Sequence, residues 1–247
     1  MAGLTWIAQP NSSRLVCLSC LSADLVKGVA AIRLQFIIIN YNELRKNSLS
    51  SFPFADAWEQ RRLGDVYQKI RNAFVGTATP YYVEDGHFYL ESNNVKDGQI
   101  NRNSEIFINA EFYERQKDNW LHTGDLVMVQ SGHVGHTAVI PENLDNTAAH
   151  ALIIIANPIE TISPYFFNYQ FQTQNAKDSI ANITTGNTIK HILSSEMKKF
   201  EIQMPTYEEQ AQIGSFFRSL DDLITLHQRE YEKLKNIKKS LLEKMFV

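Results

Sequence analysis

Cysteine is nearly absent from this chain of 247 residues. The two thiols, Cys17 and Cys20, form one isolated Cys-x-x-Cys pair. A zinc ribbon needs a second ligand pair at suitable spacing, and none is present. The pair reads as reduced bystander thiols, as in a protein of the reducing cytoplasm. Charge of one sign is also missing. The formal net charge is −3, so a nucleic-acid surface would have to be local or shared with a partner. Long apolar runs are lacking too. Leu15–Leu25 is broken by Ser, Cys and Asp24, and Leu34–Ile39 is too short to span a bilayer. A signal peptide would want a cleaner apolar core, so the expectation is a soluble, cytoplasmic protein.

Catalytic signatures are absent as well. A methyltransferase acting on amino groups needs a glycine-rich turn after a strand and an Asn/Asp-Pro-Pro-aromatic loop. "NPIE" (157–160) starts correctly but lacks the second proline and the aromatic. A nuclease needs clustered carboxylates with a lysine around Mg²⁺. Asp56 and Glu59 are not followed by a convincing strand-borne Glu-x-Lys. No P-loop, nucleophile elbow or His-Glu-x-x-His occurs. The chain reads as non-catalytic, with no cofactor and no metal.

What is present is 44% hydrophobic residues, enough to bury a core, distributed in three regions. Residues 1–51 mix short apolar runs with Ser and Asn and stay unassigned; "LQFIIINY" (34–41) could be a strand. Residues 52–204 carry β-like runs between turns. "GHFYLES" ends before the Asp97-Gly98 turn signal, "DLVMVQSG" alternates apolar and polar residues, and "HALIIIANP" is a continuous apolar run ended by Asn-Pro. Helices are expected around "EFYERQKDNWL" and "SPYFFNYQFQTQNAKDSI". The fold class is α+β: one mixed α/β domain followed by a long C-terminal coiled-coil-forming helix.

Residues 205–247 make that helix. Thr206 is a natural N-cap and Glu209 completes a capping box. Ile213, Phe217, Leu220, Ile224, His227, Tyr231, Leu234, Leu241 and Met245 follow at alternating steps of four and three, and Lys238 takes the one slot that breaks the stripe. A period of about 3.5 residues held this long is a coiled-coil seam. Such a helix is roughly 55–60 Å long at 1.5 Å per residue, longer than one domain can cover. It calls for a partner.

"FPFADAWEQRRLGDV" (52–66), "LHTGDLVMVQSGHVGHTAVI", "ITTGNTIKHILSSEMKKFEIQMP" and the closing "EEQAQIGSFFRSLDDLITLHQREYEKLKNIKKSLLEKMF" together resemble the specificity (S) subunit of type I restriction-modification systems. The resemblance covers roughly residues 52–247. It implies a target-recognition domain reading one half of a split double-stranded DNA site. It also implies a conserved spacer helix that pairs with a second such helix, and partnership with a methylation subunit and a restriction subunit. Members of the family carry two recognition domains and two helices in one chain, whereas this sequence has one of each. A half-subunit working as a homodimer, or pairing with a second specificity half, is one reading. A rearranged or truncated cassette without DNA readout is another. A coiled-coil structural protein with no DNA role is the alternative of a different class.

Base readout needs hydrogen-bonding side chains on loops that enter a groove. Three loops qualify. The first offers Asn93 and Asn94, with Lys96. The second offers Gln130, Ser131 and His133, with His136. The third offers Thr184, Thr185, Gly186, Asn187, Lys190 and His191, and it resembles a glycine-, threonine- and lysine-containing stretch of the family. Each has an ordinary structural reading beside the functional one. Asn-Asn is common turn chemistry, His133-x-x-His136 suits a hairpin tip, and Thr-Thr-Gly-Asn could cap a helix starting near Ile189. Arg61, Arg62, Lys198 and Lys199 are candidate phosphate contacts, with plain solvated surface as the default.

Overall fold

The computed structural model describes residues 58–186 and 190–246, plus one strand pair near the N-terminus. The chain divides into two units, Met1–Ala55 and Asp56–Val247. In the first unit, β1 (Trp6–Ile7) pairs antiparallel with β2 (Val16–Cys17). The expected strand at 34–41 and the thiol chemistry of Cys17 and Cys20 lie outside the described residues.

The second unit is built on a four-stranded antiparallel sheet. Its order is β11 (Thr137–Val139), β10 (Leu126–Val129), β13 (Leu152–Pro158), β4 (Tyr67–Asn72). The two central strands are apolar on both faces. Leu126, Met128, Ile153 and Ile155 face one core, and Val127, Val129, Leu152 and Ile154 face another. The sequence reads "DLVMVQSG" as alternating apolar and polar residues, but all four residues of β10 are apolar and buried. The sheet is covered on both sides, which explains the continuous "LIII" and "LVMV" runs.

On the first face lie the helices α3 (Pro164–Phe171), α4 (Gln174–Ile183) and α5 (Ser194–Lys199), which contribute Phe166, Phe167, Phe171, Ile180 and Met197. A second sheet has the order β12 (Ala148–Ala149), β6 (His87–Leu90), β9 (Ile106–Ile108), β5 (Tyr82–Val83). Tyr89 and Ile108 from that sheet pack on Phe112 of α2 (Ala110–Arg115). A short ribbon, β7 (Val95–Lys96) and β8 (Gln99–Ile100), turns at Asp97 (φ 49°) and Gly98 (φ 82°), so the sequence's turn signal is realised.

A second ribbon roots the long helix. β3 (Glu59–Arg62), leading into α1 (Leu63–Val66), pairs with β14 (Glu201–Met204), which runs directly into α6 (Tyr207–Met245). The expected capping box forms: the Glu209 N–H donates to Thr206 Oγ1 at 3.4 Å, and the Thr206 N–H donates to Glu209 Oε2 at 3.1 Å. The 39 residues of α6 extend for about 58 Å at 1.5 Å per residue.

The start of α6, as far as Asp221, contacts its own domain. Gln210 is buried, accepting from the Ser163 N–H at 3.1 Å and donating to the Pro205 carbonyl at 2.9 Å. A Cβ at Gly214 would lie 2.9 Å from Ser163 Oγ and 3.1 Å from Phe166 N, so only glycine lets α6 approach α3 this closely. Phe217 and Asp221 contact Tyr169, and Arg218 lies over the Tyr165 ring. Ile213 packs on the core.

Two residues of the predicted seam, Ile213 and Phe217, are therefore engaged by the domain, because the helix must be anchored before it can project. Leu220 is half-buried, and Ile224, Tyr231, Leu234, Leu241 and Met245 are exposed. Ile237, beside the Lys238 gap, is exposed as well. Replacing Gly214 with leucine should overpack the junction and cost about 1–3 kcal/mol, measurable by thermal unfolding of the full chain. An unchanged melting temperature would show that the close approach carries no constraint.

Candidate nucleic-acid interface

The three sequence-predicted loops are knitted together by backbone and side-chain hydrogen bonds. Thr185 and His191 exchange both backbone hydrogen bonds at 2.8 Å, closing the third loop into a small hairpin. That hairpin is sewn to the second loop. The Gly132 N–H donates to the Lys190 carbonyl at 3.1 Å, the Ile192 N–H to the Gln130 carbonyl at 3.0 Å, and Ser131 bridges His191.

The second loop in turn holds the first. His133 Nε2 sits 2.9 Å from the Ser92 carbonyl, and the Asp97 N–H donates to His136 Nδ1 at 3.1 Å. Burial lowers the His136 pKa; the Asp97 carboxylate opposes this, and the charges of His133, Lys177 and Lys96 reinforce it. A neutral ring is what accepting at Nδ1 requires. The positive φ of Gly132 (81°) and Gly135 (90°) lets this loop turn tightly.

Between the second loop and α4 lies an open cleft of about 400 Å³. His133, His136, Lys177 and Lys190 line it above an apolar floor that includes Val134 and Ile180. Lys177 belongs to this group but is not evident from the sequence, where it is one polar residue of an amphipathic helix. Thr185, Gly186, Lys190, His191, His133 and Asn93 are exposed.

Other expectations need correction. Asn94 is buried: its Nδ2 donates to the carbonyls of Asn101 (3.1 Å) and Ser104 (3.0 Å), and its Oδ1 accepts from the Glu91 N–H (2.9 Å). It shapes the first loop and cannot read a base without dismantling it. Gln130 is nearly buried, and its backbone, not its side chain, makes the loop junction. The Thr184 hydroxyl donates to the Ile180 carbonyl at 2.6 Å, capping the end of α4. The helix start expected near Ile189 lies outside the described residues; the next described helix begins at Ser194. Asn187 lies outside the described residues.

Among the phosphate candidates, Arg61 is tied to Glu160 and to the Asp65 carbonyl, and Lys199 pairs with Glu196 at 2.9 Å. Among the described residues, no group of three or more His, Cys, Asp or Glu is placed to hold a metal ion.

Glu91, at the base of the first loop, is a structural residue that sequence reading missed. It accepts from the Tyr82 hydroxyl and lies 3.5 Å from His150 Nδ1. His150 Nε2 lies 3.0 Å from the Gly76 carbonyl, so both ring nitrogens have acceptors. The hydrogen bond between them lowers the Glu91 pKa and raises that of His150, against the opposing effect of burial.

The profile of the type I restriction modification DNA specificity domain matches residues 55–236. The chain belongs to that family. It is similar to the type I restriction enzyme MjaVIII specificity subunit of Methanocaldococcus jannaschii, 23% identical over 212 residues, covering 83% of this chain and 46% of the relative. Among solved structures, the S subunit of M. genitalium aligns at TM-score 0.56 and 14% identity, over 79% of this chain and 47% of that one. A chain from a structure of type I R-M complex assembly and conformational transition aligns at TM-score 0.55 and 18% identity, over 91% and 55%. This specificity-domain chain thus spans about half the length of the curated relatives it matches.

The Glu91–His150 pair sets a pH dependence for the first loop of this specificity domain. The raised His150 pKa contributes stability present below its ordinary value of about 6.5 and lost as pH rises through the higher folded value. The lowered Glu91 pKa contributes stability present above its ordinary 4.5 and lost as pH falls through the lower folded value. The Glu91→Gln variant should therefore lose most stability near pH 6 and progressively less at alkaline pH, read by melting temperature. A deficit that stays constant with pH would remove the pair from this role.

Proposed function

We propose that this chain is a non-catalytic DNA sequence-recognition subunit of a type I restriction-modification complex. It acts in the cytoplasm, reads one half of a bipartite double-stranded site and positions a methylation subunit and a restriction subunit. Residues 52–204 form the recognition domain, and residues 205–247 form the spacer helix, which pairs with a second helix. The observation that carries the reading is the convergence of three polar, glycine-turned loops into one surface bearing Lys177, Lys190, His133 and His136. Membership of the specificity-domain family and the long unpartnered apolar stripe of α6 support it.

The division of labour follows from chemistry. Lys177 and Lys190 are flexible point charges suited to phosphates, which position the protein without specifying sequence. Thr185, His191, Asn93 and Ser131 are short hydrogen-bonding groups on the joined loops, suited to base edges. Asn187 belongs with them as a proposed base contact, since asparagine can pair with adenine through two hydrogen bonds. The net charge of −3 fits a shared footprint, in which the methylation subunit supplies much of the phosphate neutralisation.

The test is DNA binding by the chain together with its methylation subunit. Lys190→Ala and Lys177→Ala should each weaken binding to all sequences and reduce the salt slope by about one unit. Asn187→Ala should instead change preference at one base position by about 1–3 kcal/mol. Binding that is unchanged in all three variants would contradict this surface as the interface.

A further inference from the structure

We propose that Asn168 is a positioning residue for DNA reading: its buried amide holds the tip of the β7–β8 ribbon in a set place relative to the root of α6. This rests on the reading above that the joined loops face DNA, and goes beyond it by naming the group that sets where the first loop lies.

The ribbon is too short to hold itself. Each strand has two residues around the Asp97-Gly98 turn, and an isolated two-stranded hairpin is marginal in water. Its tip nevertheless presents Lys96, Asp97 and Gln99 to solvent, next to His136 of the second loop. Such side chains discriminate between bases only if the ribbon beneath them is fixed from outside.

Asn168, inside α3, supplies that fixing. The residue is 1% exposed. Its Nδ2 donates to the Gly98 carbonyl at 2.9 Å, and its Oδ1 accepts from the Thr137 hydroxyl of β11 at 2.8 Å. Gln172, four residues on, lies over the same turn, where a Cβ at Gly98 would come 2.2 Å from its Nε2. That amide donates back to the Asn168 carbonyl at 3.2 Å. Filling the site does not require an amide. Leucine has the same branched shape and is the better helix former. What asparagine adds is one hydrogen bond to each of two separate elements.

The other grip of α3 is on α6. Residues four apart share a helix face. Tyr165 and Tyr169 make one such stripe: Arg218 lies over the first ring, and the hydroxyl of the second donates to Asp221 at 2.7 Å. Asn168 and Gln172 make the adjacent stripe, turned toward the ribbon. One helix therefore holds the root of α6 and the tip of the first loop together. The direction of the long helix and the place of the ribbon share a single reference.

The experiment separates position from stability. Thr137→Val removes one hydrogen bond of Asn168 and leaves the tie to Gly98. Adding Asn168→Leu replaces the polar pair by apolar groups of similar shape, so neither partner is left unpaired, while the turn is released. Full-length chains with Cys17 and Cys20 replaced by serine and a nitroxide at Gln99→Cys are compared by spin-label line shape and melting temperature. Chains without the label are combined with the methylation subunit and presented with a randomised double-stranded DNA library.

The double variant should melt no lower than Thr137→Val, yet show a mobile label where the parent chain and Thr137→Val show an ordered one. It should also lose about tenfold of discrimination at one cluster of adjacent base positions, the scale of one bidentate base contact. Thr137→Val should keep the parent's preference at every position. An ordered label in the double variant, a loss spread evenly over all positions, or the same loss in Thr137→Val overturns the proposal. So does a double variant that melts far below Thr137→Val, which would make Asn168 a packing residue only. A parent chain with no sequence preference rejects the recognition reading instead, and the line shape, measured without DNA, still decides whether Asn168 holds the ribbon.

Discussion

The close approach of α6 to α3 at Gly214 governs what the rest of this molecule can do. With a Cβ there the helix would have to move off the Phe166 backbone. Without it, the buried Gln210 amide can span the Ser163 N–H and the Pro205 carbonyl. The Tyr169–Asp221 hydrogen bond at 2.7 Å extends the junction by two further turns. The β3–β14 ribbon joins the start of the domain to the strand that feeds the helix. A long helix fixed at its root by glycine contact, a buried amide and a ribbon keeps a set direction, so spacing along it can be converted into spacing between whatever its two ends hold.

The loops show the same economy of local rigidity. They are not three independent polar excursions: backbone hydrogen bonds run from the hairpin at Thr185 and His191 to Gly132 and Gln130, and side-chain contacts continue to Ser92 and Asp97. Asn94 and Glu91 hold the first loop from beneath, and α4 supplies Lys177 from the side. Side chains on a surface held this way lose little freedom on binding, which is what discrimination between bases requires.

Much of this was legible in the sequence, and the misses have physical reasons. The capping box at Thr206 and Glu209, the buried "LIII" strand and the Asp97-Gly98 turn are local signals, decided by residues within a few positions, and they appear as expected. The exposed apolar stripe from Ile224 onward follows from its period, but the capture of Phe217 by Tyr169, some fifty residues earlier, and of Ile213 by the core is carried by no local pattern. Residue type alone marks Asn94 as a reader. Its burial follows from the turns around Asn101 and Ser104, which consume its amide. Lys177 was missed for the opposite reason: on an isolated amphipathic helix every exposed lysine looks the same. Only the packing of α4 against the second loop singles this one out.

On the function proposed above, this chain directs sequence-specific methylation without performing it. The most direct measurement is a genome-wide map of N6-methyladenine in a host lacking that modification, expressing this chain with its methylation subunit. The account predicts methylation at a split motif that disappears when this chain is omitted, with two identical inverted halves if the partner is a second copy. A complete absence of methylation, with the methylation subunit shown to be competent alongside another specificity subunit, would contradict it.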